Sequence, residues 1–506
     1  MPEKLSYEYE TEPLAHQSRE VELHGRDRDR SLFWEQGTGK TKPVIDTVAL
    51  GFEEQRLGGG IVFAPPGVHL NWPLEELPKH FPKRLLPRTR TLAWDGRRAR
   101  QVGFKRELEG LLSHSGLSWL FMNYEAVTTE PGARALARFL KRGPALMALD
   151  ESGAIKTPGA ARSKRIRAYG RLAAMRRIMD GTPISNAPLD IYNQVAFLSP
   201  DFWRGRGVDS FFAFKQHFAE WETEVIRLPG GKVHEFPRLV KYKNMDELHE
   251  VFDTFGERVT KESAGIDLPP KLYQKYHVEL SEEQRKVYER VRSQLLVELN
   301  SGLVDASSAL LKMVRLQQVV SGFLPPRAFM GGDDEQFSEP PSWRAARNPK
   351  LEALSEIVSK VARKAIVWAR FRCEVDDVCA MLTREGVPHV RYDGSTPKSE
   401  RPENIRRFQN EPVAAGGPRV FVANPAAAGT GLTLHAADTV VYYSNSFKLT
   451  ERLQSEDRAH RIGQSLPVTY IDIVALDTVD EKVLDALRRK RDLAATVTRD
   501  ELRSWL

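Results

Sequence analysis

The residues whose types and spacing suit chemistry begin with Gly37-Thr38-Gly39-Lys40-Thr41. They follow the apolar Leu32-Phe33-Trp34 and precede a helix-forming run from Lys42 to Leu50. Small residues at this spacing let successive backbone N–H groups wrap phosphate oxygens at a helix N-terminus. The lysine then reaches the β- and γ-phosphates and the threonine hydroxyl takes Mg²⁺. The full pattern of such a loop wants glycine at position 34, where this chain has Trp34. Further on, the apolar run Ala145 to Leu149 leads directly into Asp150-Glu151. A buried strand ending this way delivers Asp150 to hold Mg²⁺ and Glu151 to orient and deprotonate an attacking water. An acidic pair at a strand end is also a common helix cap, and the preceding phosphate loop is what favours the catalytic reading. The third group is Gln454-Ser455-Glu456-Asp457-Arg458-Ala459-His460-Arg461-Ile462-Gly463-Gln464. With Lys448 to His460 helical, Gln454, Arg458 and Arg461 fall at i, i+4 and i+7 and project from one face. Two guanidiniums there suit charge stabilisation at a γ-phosphate, although such charge mixtures also form plain ion-paired surface helices.

The elements that must position these residues follow from periodicity. Short apolar runs alternate with amphipathic stretches in the first third, the pattern of a parallel sheet covered by helices. Strands are expected at Ser31 to Trp34, Gly60 to Ala64, Trp119 to Asn123, Ala145 to Leu149 and Arg177 to Asp180. The alternation returns with Ala365 to Ala369, His389 to Tyr392, Arg419 to Ala423, Thr439 to Tyr443 and Val468 to Val474. The reading is an α/β chain of two lobes, residues 1–200 and 344–480. Residues 201–343 form a helical insertion and linker between them, and a helical tail spans 481–506.

Composition sets the class. The chain has 506 residues, 41% hydrophobic and 28% charged, with a mean hydropathy of −0.44. These values suit a folded globular protein and exclude a mainly disordered or fibrous one. No apolar run reaches the roughly 18 to 20 residues of a membrane span, and no secretory signal pattern opens the sequence, so a cytoplasmic setting is expected. Cys373 and Cys379, six residues apart in a helix-like stretch, fit neither a zinc pair nor a disulfide framework. The net charge of +7 suits a partner that is a polyanion.

Taken in order, the motifs resemble those of Snf-type ATPases, the Swi/Snf-like branch of helicase superfamily two. Leu14-Ala15-His16-Gln17 resembles the segment whose glutamine reads adenine, EQGTGKT (35–41) motif I, VFAPPGVHLNW (62–72) motif Ia and NYEAV (123–127) motif Ib. DESGAIK (150–156) resembles motif II and DGTPISN (180–186) motif III. AIVWARF (365–371) resembles motif IV, YDGST (392–396) the strand and loop after it, AAGTGLTL (427–434) motif V and the QSEDRAHRIGQ segment motif VI. The chain departs from the family pattern at Ser152-Gly153, where many members have Ala-His, and at SNSF (444–447), where many have Trp-Asn-Pro.

The resemblance implies two RecA-like lobes and an ATP-dependent translocase acting on duplex or branched DNA. Its tasks would lie in replication, recombination or repair: fork remodelling, branch migration or annealing. It is identified as a compact prokaryotic or viral-type member, in a prokaryotic or virus-infected cytoplasm, with replication or recombination proteins as partners and no membrane role. ATP and Mg²⁺ would be held by Gln17, Gly37, Thr38, Gly39, Lys40, Thr41, Asp150 and Gln454. Catalysis would fall to Lys40, Asp150, Glu151, Arg458 and Arg461. Phosphate-backbone contacts are implied at Pro65, Pro66 and Gly67, at Thr182, at Gly394, Ser395 and Thr396, and at Gly429, Thr430 and Gly431. Such contacts grip a strand without reading bases. The basic segments Lys83 to Arg106 and Arg162 to Arg177 are either further DNA contacts or solvated faces. Two other readings stay open: a strand-separating DNA or RNA helicase, and a weakly hydrolysing, nucleotide-gated DNA-binding subunit.

Overall fold

The computed structural model describes residues 7–184, 187–227, 233–300, 306–325, 341–397, 399–426 and 432–498. The chain divides into two compact units. The first holds Met1–Glu220 and Val240–Asp267, and the second holds Trp221–Leu239 and Leu268–Asp492.

The first unit is built on six strands: β1 (Asp29–Leu32), β2 (Gly59–Ala64), β3 (Thr89–Ala93), β4 (Leu117–Asn123), β5 (Ala145–Asp150) and β6 (Met175–Met179). They pair in the order β1-β6-β5-β2-β4-β3, every pairing parallel. Central strands such as β2 and β5 are buried along nearly their whole length, β5 ending in the half-buried Asp150, because helices cover both faces of the sheet. Alternate residues feed two separate cores. Ile61, Phe63, Met147 and Leu149 enter one, and Val62, Ala64, Leu146 and Ala148 enter the other.

A two-stranded sheet, β7 (Ala219–Arg227) and β8 (Val233–Tyr242), follows in the chain. The large sheet of the second unit then opens with β9 (Lys271–Val278), and the short antiparallel pair β10 (Phe323–Leu324) and β11 (Trp343–Arg344) comes next. Its sheet is completed by β12 (Lys364–Trp368), β13 (His389–Tyr392), β14 (Val420–Ala423), β15 (Ala437–Tyr442) and β16 (Val468–Ala475). The order is β13-β14-β12-β15-β16-β9, again wholly parallel. The two six-stranded parallel sheets covered by helices are the two RecA-like lobes expected from the sequence.

Residues 201–343 are not uniformly helical as expected. They contain β7, β8 and β9, and β9 is an edge strand of the second sheet. β3 was likewise not anticipated. Both are edge strands with one side in water, so polar residues interrupt the apolar runs that reveal central strands. Cys373 and Cys379 lie in a helix as expected, Arg372–Arg384, with Cys373 buried and Cys379 half-buried. Among the described residues no helix is long and apolar enough to cross a membrane.

Candidate active site

In an open parallel sheet the loops after the strands' carboxyl ends converge on one edge, and neighbouring strands decide which loops meet. Here β1, β6 and β5 are neighbours although their sequences lie far apart. The loop after β1, Asp150 at the end of β5 and Asp180 directly after β6 are therefore brought to one place.

The phosphate-type loop has the geometry its sequence promised. Gly37 and Gly39 have φ of +84° and +78°, which only glycine adopts without strain. A Cβ on Gly39 would also stand 2.3 Å from Gln17 Nε2. Thr38 closes the turn by donating its hydroxyl to the Glu35 carbonyl at 2.7 Å. Lys40 precedes the helix Thr41–Glu53, and its ammonium donates to the carbonyls of Trp34 and Glu35 at 2.9 and 3.2 Å. Burial pulls the Lys40 pKa down, while Glu151, Asp150 and Asp180 push it back up. Gln17 donates to the Gly39 carbonyl at 2.9 Å, and His16 Nε2 donates to that of Thr38 at 2.8 Å, so the adenine-type segment braces the loop.

Trp34, the departure from the loop pattern, is accommodated. Its side chain is buried with Val21, Ile45 and Val48 and meets His16 edge-on at 4.8 Å. Only its carbonyl faces Lys40. The indole therefore fills the core under the loop and leaves the phosphate side to the backbone.

Burial raises the Asp150 pKa, opposed by a hydrogen bond from Trp72 Nε1 and by the Lys40 charge. That bond is 3.1 Å long. Glu151 has φ of +56°, an unfavourable backbone conformation for a side chain of its type. Tyr124 donates its hydroxyl to the Asp150 carbonyl at 2.8 Å. Asp180 is buried and joins motifs II and III: Oδ2 accepts the Gly153 N–H at 2.7 Å and Oδ1 accepts the Thr182 N–H at 2.8 Å. A Cβ on Gly153 would stand 3.0 Å from Asp180 Oδ2. Glycine at 153 thus lets a carboxylate bind the motif II backbone directly. Trp72, Tyr124 and Asp180 were not nominated from sequence, although each lies inside a quoted motif. Only the sheet order shows that they face Asp150 or Lys40.

In the second unit the helix runs Leu449–Ala459 and ends at His460. Arg461 therefore lies past the helix, and its expected i+7 projection from one helical face does not hold. It reaches Arg458 by another route. Arg458 and Arg461 both donate to the Leu432 carbonyl, at 3.4 and 3.3 Å, and Arg461 also bonds Thr433 Oγ1 at 3.0 Å. Gln454 lies one turn before Arg458 on the same helix. The buried side is fixed by ions: Arg452 bonds both oxygens of Asp472, at 2.5 and 3.1 Å, and Glu456 at 2.9 Å, and Lys271 bonds Glu456 at 3.0 Å. Ser444 of the divergent SNSF segment accepts the Arg370 N–H and donates to Glu374, at 2.9 and 2.6 Å.

The strand-contact candidates divide. Pro66, Gly67, Gly394 and Ser395 are exposed and Pro65 and Thr182 half-buried, while Thr396 is buried. The amides of Ser395 and Thr396 already bond Asp393 at 2.9 and 3.1 Å. Gly429, Thr430 and Gly431 lie outside the described residues. The basic segment Arg162 to Arg177 is not one solvated stripe: Arg176 and Arg177 are buried, Arg176 on Asp29 and Arg177 on the carbonyls of His24, Arg28 and Arg176.

A model of the SNF2-related domain matches residues 27–322, and one of the helicase conserved C-terminal domain matches residues 349–463. The chain belongs to the SNF2-related family. It carries an SNF2-related domain followed by a helicase conserved C-terminal domain. It is similar to the zebrafish (Danio rerio) chromodomain-helicase-DNA-binding protein 1-like, 25% identical over 92% of this chain and 41% of that protein. A probable ATP-dependent DNA helicase of Arabidopsis thaliana is 25% identical over 94% of this chain and 41% of its own length. An uncharacterized ATP-dependent helicase of Mycoplasma genitalium is 25% identical over 91% and 39%. The chain thus spans less than half the length of these relatives. A solved Sulfolobus solfataricus SWI2/SNF2 ATPase core in complex with double-stranded DNA aligns over 97% of this chain and 94% of that one, at 22% identity and a TM-score of 0.41.

Proposed function

We propose that this SNF2-related chain is a DNA-stimulated ATPase that translocates on duplex or branched DNA, in replication, recombination or repair. The observation that carries the reading is the meeting of Lys40, Asp150 and Asp180 at one edge of the first sheet, beside a loop shaped for phosphate. ATP is the substrate. Phosphate oxygens would replace the Trp34 and Glu35 carbonyls as partners of Lys40, and Gln17 would stand at the adenine. Thr41 and Asp150 would hold Mg²⁺. A hydroxyl and one carboxylate suit that ion, which keeps waters and phosphate oxygens for its remaining positions. Glu151 would orient and deprotonate the water. Arg458 and Arg461, sharing the Leu432 carbonyl, would supply positive charge to the transferred phosphoryl group. Gln454 would contact the nucleotide one helical turn earlier.

DNA as partner is supported by the net charge of +7, by the exposed small-residue loops at Pro66-Gly67 and Gly394-Ser395, and by relatives described as DNA helicases. The remaining contacts would come from Pro65, Thr182, Thr396, Gly429, Thr430 and Gly431. Alternating affinity of the two units for the backbone, set by nucleotide state, would move the chain along DNA.

The test is steady-state ATP hydrolysis with single-stranded DNA, duplex, fork, four-way junction and RNA in parallel. Stimulation by duplex or branched DNA that disappears in Lys40→Ala supports the proposal. Stimulation by RNA alone, or turnover that no nucleic acid changes, overturns it. Unwinding of an unbranched tailed duplex would identify a strand-separating helicase instead.

A further inference from the structure

Residues 256–271 carry no nominated site residue, yet their contacts fall on both halves of the chemistry. Within the first unit they clasp the residues around the phosphate loop. The Glu35 N–H donates to the Val259 carbonyl at 2.7 Å, and the Lys261 N–H donates back to the Glu35 carboxylate at 2.8 Å. The Lys261 ammonium stands 3.8 Å from that carboxylate's other oxygen. A Cβ placed on Gly37 would be 3.4 Å from Lys261 Cε, so the lysine stem lies against the loop. Arg258 donates to the carbonyls of Phe33 and Gly181, at 2.5 and 3.4 Å, and so spans the approach to motif I and motif III.

Within the second unit the same segment holds the arginine helix. His460 Nε2 donates to the Pro269 carbonyl at 2.7 Å, and the Val468 N–H donates to that of Pro270 at 3.2 Å. Lys271 pairs with Glu456 at 3.0 Å and Asp457 at 3.6 Å, the two residues just before Arg458.

The piece between is short and stiff. Thr260 and Ser263 each accept the other's backbone N–H, at 2.9 and 3.0 Å. Ala264 and Ile266 donate back to the carbonyls of Thr260 and Lys261, at 3.0 and 2.9 Å. Pro269 and Pro270 fix φ near −65°. Eight residue steps separate Lys261 from Pro269, at most about 28 Å when fully extended. A flexible tether of that length would absorb movement at one end. A hydrogen-bonded turn followed by two prolines passes it on.

We propose that residues 256–271 form a transmission strap. Phosphate binding that shifts Glu35 and Gly37 moves Val259 and Lys261, and the strap carries the shift to Pro269 and Lys271, repositioning Arg458 and Arg461. Arg258, Lys261, Pro269 and Lys271 are positioning residues in this scheme, which rests on the ATPase reading above.

The test lengthens or softens the strap in the full chain. One variant inserts Gly-Gly between Asp267 and Leu268, and a second combines Pro269→Gly with Pro270→Gly. The readouts are the ratio of duplex-stimulated to unstimulated ATP hydrolysis, affinity for a fluorescent ADP analogue, and thermal melting. Expected is a fall in the ratio of about tenfold or more, equivalent to ~1.4 kcal/mol of coupling, with analogue affinity kept within about twofold. A ratio held within about twofold of the parent overturns the strap, as does a loss of analogue affinity in step with the ratio, which would mark a mere brace for the loop. If the insertion variant does not fold, the glycine pair decides by the same criteria. A parent chain that DNA does not stimulate refutes the ATPase reading itself, so the two failures are distinct.

Discussion

Replacing Asp180 by asparagine changes almost nothing in size and removes an acceptor that two loops share. Each carboxylate oxygen takes one backbone N–H, Gly153 at 2.7 Å and Thr182 at 2.8 Å. An amide side chain offers one oxygen and one NH₂, so in either orientation an N–H donor faces another donor. Losing one hydrogen bond to a charged group costs about 1.5–3 kcal/mol. Part of this is offset, because burial raises the Asp180 pKa and a neutral amide escapes that penalty. The net loss of stability is then about 1–2 kcal/mol, or a few degrees in melting temperature for a unit of this size. Turnover should suffer more, since Gly153 lies only two residues after Glu151 and a shift of about 1 Å in a reacting group costs on the order of 100-fold. The expected result is DNA-stimulated kcat down by about 10- to 100-fold with the KM for ATP changed less than about threefold, because the hydrogen bonds lost are to Gly153 and Thr182 and not to the Gly37–Thr41 loop. Thermal melting and steady-state hydrolysis with saturating duplex measure both. An asparagine variant whose kcat stays within about twofold of the parent would refute the argument that Asp180 couples the two motifs.

Three further outcomes are expected. Trp34→Gly, which restores the glycine of the loop pattern, should lower stability by about 3–5 kcal/mol through loss of a buried indole; a tighter ATP KM without a lower urea midpoint would contradict this. Arg452→Met leaves Asp472 without its guanidinium and should cost about 3–5 kcal/mol in urea unfolding, and an unchanged midpoint would show that the network does not anchor the arginine helix. His80 is held neutral by burial, with Lys79 and Lys42 adding to the effect, so its pKa falls from 6.5 to about 4. A depressed histidine contributes stability that is complete above its unfolded pKa, so stability should decline as pH falls from 6.5 toward 4. In His80→Asn that part of the urea-midpoint profile should flatten, and an identical profile would exclude His80 as its source.

The motifs were legible in the sequence because each is a short run whose chemistry depends on local spacing. Gly37, Gly39 and Lys40 spell a phosphate-type loop in their local spacing, and Ala145 to Leu149 reads as a buried strand because a parallel sheet hides both of its faces. Edge strands β3 and β9 lacked that signal, since half of their side chains meet water. Regular spacing carries Arg461 onto the Arg458 face of a helix, whereas the helix stops at Ala459 and the backbone turn there sends Arg461 to the Leu432 carbonyl beside Arg458. Long-range packing decided the rest. Trp34 is harmless because its indole enters the core, Asp180 matters because β6 lies between β1 and β5, and Arg258 and Lys261 reach Phe33 and Glu35 across more than two hundred residues. Local residue order could announce which atoms do chemistry. Which distant backbone groups hold those atoms in place depends on sheet order and burial, and no spacing within a motif encodes that.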